Sequence, residues 1–170
     1  MINGSLPEDR ALIRLTSEQV AHYSHEVKET IKVSLPPNEE YDERTGALIL
    51  RQVYQEQTQI WGIFQDGDLD GMVITTFVVE PVTMGRSLMI VALSSFNKLK
   101  PETYQRILIE LNGFCKKKAC SKLTAYSRVP YIIKMAKSLG ADTSYKLLSW
   151  DIPKPEMTDY TLISREIVGD

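Results

Sequence analysis

Two β-rich apolar runs, Ile60-Trp61-Gly62-Ile63-Phe64 and the stretch from Met72 to Val79, flank the cluster Asp-Gly-Asp-Leu-Asp-Gly at residues 66–71. β-Branched and aromatic side chains suit a pleated surface, and an Asp-Gly cluster between two such runs is the signature of a tight hairpin. The sequence therefore predicts two antiparallel strands joined by an acidic turn. Asp66, Asp68, Asp70 and Gly71 also imitate the opening of a calcium loop, but the twelfth position is Phe77 and a β-run stands where a helix should follow. The acids read as turn residues.

Glu80-Pro81 ends the second run, a Thr-Met-Gly-Arg turn follows, and Leu88–Leu93 is a continuous apolar run of the kind buried on both faces at the centre of a sheet. Beyond it Pro101 suits a first helical position, and Tyr104, Ile107, Leu108, Leu111 and Phe114 recur at helical spacing. Cys115 falls beside that stripe and reads as core. Lys116, Lys117 and Lys118 close the helix, where cations complement its dipole. Upstream, residues 11–15 (ALIRL) read as a strand, and Thr16 caps a helix along which Val20, Tyr23, Val27 and Ile31 form one stripe until Pro36-Pro37. Residues 38–44 read as a polar loop and 47–55 as a second helix. Downstream, Leu123–Ser127 reads as a strand, Ile132–Leu139 as a helix stopped by Gly140, and residues 145–150 and 160–163 as two last strands.

The 170 residues fit one domain, residues 1–170, with 43% hydrophobic and 25% charged side chains. Lys plus Arg number 20 against 22 Asp plus Glu, so no basic excess points to nucleic acid. Cys115 and Cys120 lack a second pair that would complete a zinc set or a disulfide framework, which suits a reducing compartment. His22, His25 and Glu26 share one helix face at metal-compatible spacing but have no further ligand nearby in sequence, so no metal is expected. The N-terminus lacks the pattern of a signal peptide, and no apolar stretch approaches a membrane span, so a cytoplasmic location is expected, in a host cell or a virion if the chain is phage-encoded.

Taken together the elements give an α/β (α+β) class: a mixed central sheet of about six to seven strands flanked by about four helices. That order resembles the GNAT superfamily of N-acetyltransferases. Residues 129–152 (VPYIIKMAKSLGADTSYKLLSWDI) are similar to the closing GNAT segment, with Lys137-Ser138-Leu139-Gly140-Ala141 at the family's terminal turn. The Ala-Tyr-Ser strand end at 125–127 and the degenerate phosphate turn described next look closest to GNAT-like proteins of tailed bacteriophages, some of them virion-associated.

The resemblance implies an acetyl-CoA site between two splayed parallel strands, with the pyrophosphate held by a glycine-rich turn opening the long helix. Glycines there let backbone N–H groups and the helix dipole reach the phosphates. Here that stretch is Ser94-Ser95-Phe96-Asn97-Lys98-Leu99-Lys100-Pro101-Glu102, without glycine. Pro101 removes a donor and Glu102 adds a negative charge. Candidate coenzyme contacts are Ala92, Leu93, Ser94 and Ser95, with Lys98 and Lys100 as compensating cations. The family's general-acid tyrosine stands four residues before the terminal glycine, a place taken here by Ala136. Tyr126 and Tyr131 are the remaining proton donors and Glu80 the acidic candidate.

Two functions follow. One is a pseudoenzyme: a structural or interaction module with a protein partner or self-association and no cofactor. The other is an acetyl-CoA-dependent N-acetyltransferase with an atypical coenzyme pocket. Neither involves a membrane or, by its charge balance, nucleic acid.

Overall fold

The computed structural model describes residues 12–36, 39–145 and 150. Ten elements follow one another: β1 (Leu12–Arg14), α1 (Ser17–His22), α2 (Ser24–Ser34), α3 (Glu43–Tyr54), β2 (Thr58–Gln65), β3 (Asp68–Val79), β4 (Arg86–Ser95), α4 (Pro101–Lys117), β5 (Lys122–Ala125) and α5 (Pro130–Ser138). The strands form one sheet in chain order, antiparallel throughout except for the parallel pair β4–β5.

The hairpin closes on two residues, Asp66 and Gly67, with φ of 52° and 89°. Both lie in the left-handed region, as a turn matching the strand twist requires, and Gly adopts it without steric cost. Alternation then sorts side chains between two cores. Trp61, Ile63, Val73 and Leu88 pack with Ile107, Leu111 and Cys115 of α4. Ile60, Met72, Ile74 and Ala92 face the other way, against Val20, Val27 and Ile31 of α1 and α2. A strand buried on both faces reads as a continuous apolar run, which is the pattern of β2 and β3.

Polar groups inside the sheet are paired in a chain. Trp61 Nε1 donates to Thr75 Oγ1 at 2.9 Å, Thr75 Oγ1 donates to Gln59 Oε1 at 2.8 Å, and Gln59 Nε2 donates to the Glu56 carbonyl at 3.0 Å. Burying these groups unpaired would be costly, so the chain fixes register as well as satisfying them. Thr30 Oγ1 on α2 is the exception among the described residues: fully buried and without a partner.

Several boundaries differ from expectation. The first helix is two, because Tyr23 leaves helical geometry at φ −96°, ψ 29°. Hydrogen bonding passes through the break, since the Tyr23 N–H still reaches Gln19 and its carbonyl accepts from Val27. α3 starts at Glu43, inside the expected loop. The Asp42 carboxylate accepts from the Thr45 N–H at 2.6 Å and its hydroxyl at 2.7 Å, a cap that starts a helix without an apolar signal. The acidic cluster is mostly strand rather than turn. β4, expected at the centre and buried on both faces, is the fourth of the five described strands and only partly buried, with Val91 40% exposed. The sheet has five described strands and five helices, against six to seven and about four. Tyr145 and Trp150 lie in no strand, and residues 146–149 and the expected strand at 160–163 lie outside the described residues. No described helix is long and apolar enough to cross a membrane.

Two substitutions test this packing. A Cβ on Gly71 would stand 2.5 Å from the Ser94 carbonyl oxygen, so Gly71→Ala should cost about 1–3 kcal/mol in urea unfolding. Thr30→Val removes a buried hydroxyl without changing shape and should raise stability by about 1 kcal/mol in the same assay.

Candidate functional site

The parallel pairing of β4 with β5 is short. Ser87, Leu88, Met89 and Ile90 lie opposite Lys122, Leu123, Thr124 and Ala125, and pairing stops there. On the other side of β4 the partner of Ile74 is Ala92 and that of Thr75 is Ile90, so Val91 is an extra residue, a β-bulge. The bulge sits one residue past the last parallel pair. β4 continues to Ser95 alongside β3, and among the described residues no strand covers its other edge. Ala92, Leu93, Ser94 and Ser95 thus lie beyond the last residue paired with β5, with Ala92 itself buried in the α1 and α2 side core.

Beyond Ser95 the chain must return to α4, and a second bulge dictates its path. Ile63 pairs with Gly71 and Phe64 with Leu69, which leaves Asp70 as the extra residue of β3. Its carbonyl accepts from the Phe96 N–H at 2.7 Å and the Asn97 N–H at 3.3 Å. Its carboxylate accepts from Gln65 Nε2 and Asn97 Nδ2, both at 2.7 Å. Gln65 Oε1 in turn accepts from the Lys100 N–H at 3.2 Å and the Thr103 hydroxyl at 2.8 Å. α4 has no side-chain cap of its own, so Gln65 caps it from the hairpin. Leu99, buried in the α4-side core, anchors the middle of the loop.

Four N–H groups of this stretch are engaged, while those of Lys98, Leu99 and Glu102 make none of these bonds. Phe96 and Asn97 give their N–H groups to Asp70, Lys100 gives its own to Gln65, Thr103 bonds back to the Lys100 carbonyl, and Pro101 has none. A pyrophosphate grip needs free N–H groups at the helix start and an absence of negative charge. Here the Phe96, Asn97 and Lys100 N–H groups are already engaged, and a carboxylate stands beside them. Hydrogen bonds from Gln65 and then Asn97 hold the Asp70 carboxyl below the usual carboxylate range against the opposing effect of burial. Asp70 is therefore ionised at neutral pH, where it suits the helix N-terminus and repels phosphate. Lys98 and Lys100 are exposed, and the Lys100 ammonium already lies 3.9 Å from the Asp66 carboxylate.

The expected catalytic residues are not gathered in one place. Tyr126 follows β5 directly and is 67% exposed. Tyr131, in the first turn of α5, is also exposed, and its nearness adds to the effect of burial in pushing the Tyr104 hydroxyl above its ordinary value. Glu80 sits in the β3–β4 turn, donating its N–H to the Gly85 carbonyl, at the opposite end of β4 from Ser95. Ala136 lies on α5, whose end is closed by Gly140 at φ 91° and by the Ala141 N–H on the Ala136 carbonyl. The sequence reading missed Gln65, Asp70, Asn97, Thr103 and Tyr104. Asp70 carried a signal: three residues after a two-residue turn, an Asp preceding a Gly inside a strand marks a bulge.

No protein-family model matches the sequence, and no curated protein matches it significantly. Solved structures do match the fold. A probable acetyltransferase superposes with a TM-score of 0.65 at 10% identity, covering 85% of this chain and 98% of the other. The ribosomal-protein-alanine N-acetyltransferase of Brucella melitensis biovar Abortus 2308 gives 0.58 at 18% identity, covering 83% and 99%. A predicted acetyltransferase of Clostridium acetobutylicum, solved with acetyl-CoA, gives 0.64 at 13% identity, covering 82% and 94%. The chain therefore has the fold of the GNAT acetyltransferases.

The latch sets a pH dependence. A carboxyl lowered on folding stabilises fully above its unfolded value, roughly 3.9, and that stability is lost as pH falls through the folded value. Asp70→Asn should cost about 1–2 kcal/mol at pH 7. The gap to the wild-type chain should narrow in acid, read from urea midpoints across pH. A gap independent of pH would show that the charge contributes nothing.

Proposed function

We propose that this chain is a GNAT-fold domain that has replaced the coenzyme's pyrophosphate grip with an internal latch and acts as an interaction module rather than an acetyltransferase. The observation that carries the reading is the engagement of the Phe96, Asn97 and Lys100 N–H groups by Asp70 and Gln65. Ala136 at the general-acid position supports it. So do the exposed apolar side chains of Val91 on β4, Phe96 just after it, and Tyr126, Val129 and Tyr131 between β5 and α5, since exposed apolar surface is where proteins meet partners. A protein partner or a second copy is the class of ligand such a surface takes, and a virion role suits it on the sequence resemblance alone.

A second reading, an acetyl-CoA-dependent N-acetyltransferase with an atypical pocket, draws on one observation. Beyond Ile90 the edge of β4 is uncovered by any described strand. Thermal melting separates the two. With acetyl-CoA about a hundredfold above Kd, linkage gives roughly 2.7 kcal/mol, on the order of 5–10 °C for a domain of this size. The module reading expects no shift at millimolar acetyl-CoA. A clear shift would overturn it in favour of the enzyme.

A further inference from the structure

Cys115 and Cys120 are brought together by the way α4 ends. Ala119 takes a φ of 54°, the Cys120 N–H donates to the Cys115 carbonyl at 2.9 Å, and the Ala119 N–H donates to the Lys116 carbonyl at 3.3 Å. That pair of bonds is a Schellman closure, in which the side chains at the two ends of the turn, here Cys115 and Cys120, meet. Both pack in the α4-side core, Cys115 buried and Cys120 partly open, and both are free thiols. A residue other than Gly in the left-handed region costs energy, so the turn is held by its surroundings. Ser121, the next residue, donates its N–H to the Arg86 carbonyl at 2.8 Å, and Arg86 Nη1 reaches the Lys118 carbonyl at 3.4 Å. The corner from which β5 departs is thus pinned to the start of β4.

We propose that Cys115 and Cys120 form a preorganised dithiol that closes to a reversible intrachain disulfide by exchange with a small-molecule disulfide such as glutathione disulfide. The partly open Cys120 thiolate attacks one sulfur of that disulfide, the S–S bond breaks, and one glutathione thiolate leaves. The Cys115 thiolate then attacks Cys120 Sγ in the mixed disulfide, and the second glutathione thiolate leaves. Two protein thiols are oxidised, one disulfide is reduced to two thiols, and the two protons pass through solvent to the departing glutathiones. The order follows from access. Burial, and then the nearby Cys120, push the Cys115 thiol up to about 11, so Cys115 is a poor first nucleophile and the second step is slow and speeds up with pH. The product fastens the C-terminus of α4 to the residue before Ser121.

The test equilibrates the whole chain with reduced and oxidised glutathione, quenches with acid, and reads the species by intact mass. The folded chain should form the intrachain disulfide with an equilibrium constant at least about tenfold above that of the same chain unfolded in urea, because the fold supplies the proximity. Cys115→Ala should stop at the mixed disulfide on Cys120, with an unchanged near-ultraviolet spectrum as the check on folding. The proposal is overturned if at equilibrium the wild-type chain holds the mixed disulfide in place of the intrachain one, or if its constant in the folded state does not exceed that in urea, a comparison that needs no variant.

Discussion

Asp70 accepts four hydrogen bonds at one β-bulge: two at its carbonyl, from the Phe96 and Asn97 N–H groups, and two at its carboxylate, from Gln65 and Asn97 side chains. The path of the loop between β4 and α4, the cap on α4 and the charge at the head of that helix all follow from it. Without the extra residue in β3, the Asp70 carbonyl would belong to the ladder and the loop would have no fixed acceptor. Hydrogen bonds to an ionised group are roughly twice as strong as neutral ones, and the Asp70 carboxylate makes two of them.

The rest of the fold presents this latch rigidly. The hairpin that carries Gln65 and Asp70 is buried on both faces, and its register is fixed by the Trp61–Thr75–Gln59 chain. Gly71, directly after Asp70, lets β3 approach the Ser94 carbonyl where a side chain would collide. Pairing of β4 with β5 stops at Ile90 and Ala125, and the loop beyond Ser95 is tied to Asp70. A fold shared with acetyltransferases therefore does not by itself settle activity, which resides in the site.

The sequence made the architecture legible where periodicity was strong. The two apolar runs, the Asp-Gly turn, the α4 stripe with Pro101 at its start and the Gly140 stop are each visible as written. The poor phosphate turn was also visible, as a list of what Ser94–Glu102 lacks. What fills the loop instead was not, because Asp70 and Asn97 are 27 residues apart and bond only after the strands are in register. The start of α3 was missed because its signal is a single capping carboxylate, Asp42. Val91 was placed in a buried strand because a bulge leaves no mark in an unbroken apolar run. Glu80 was the acidic candidate by residue type, and antiparallel pairing carries it to the end of β4 away from Ser95.

Hydrogen exchange at individual amides tests the latch most directly. Phe96 and Asn97 lie in a surface loop, where unpaired N–H groups exchange freely. The account predicts that both are protected to the level of the neighbouring β3–β4 ladder and that millimolar acetyl-CoA leaves their rates unchanged. Exchange at the rate of an open loop, or protection that appears only when acetyl-CoA is added, would contradict it.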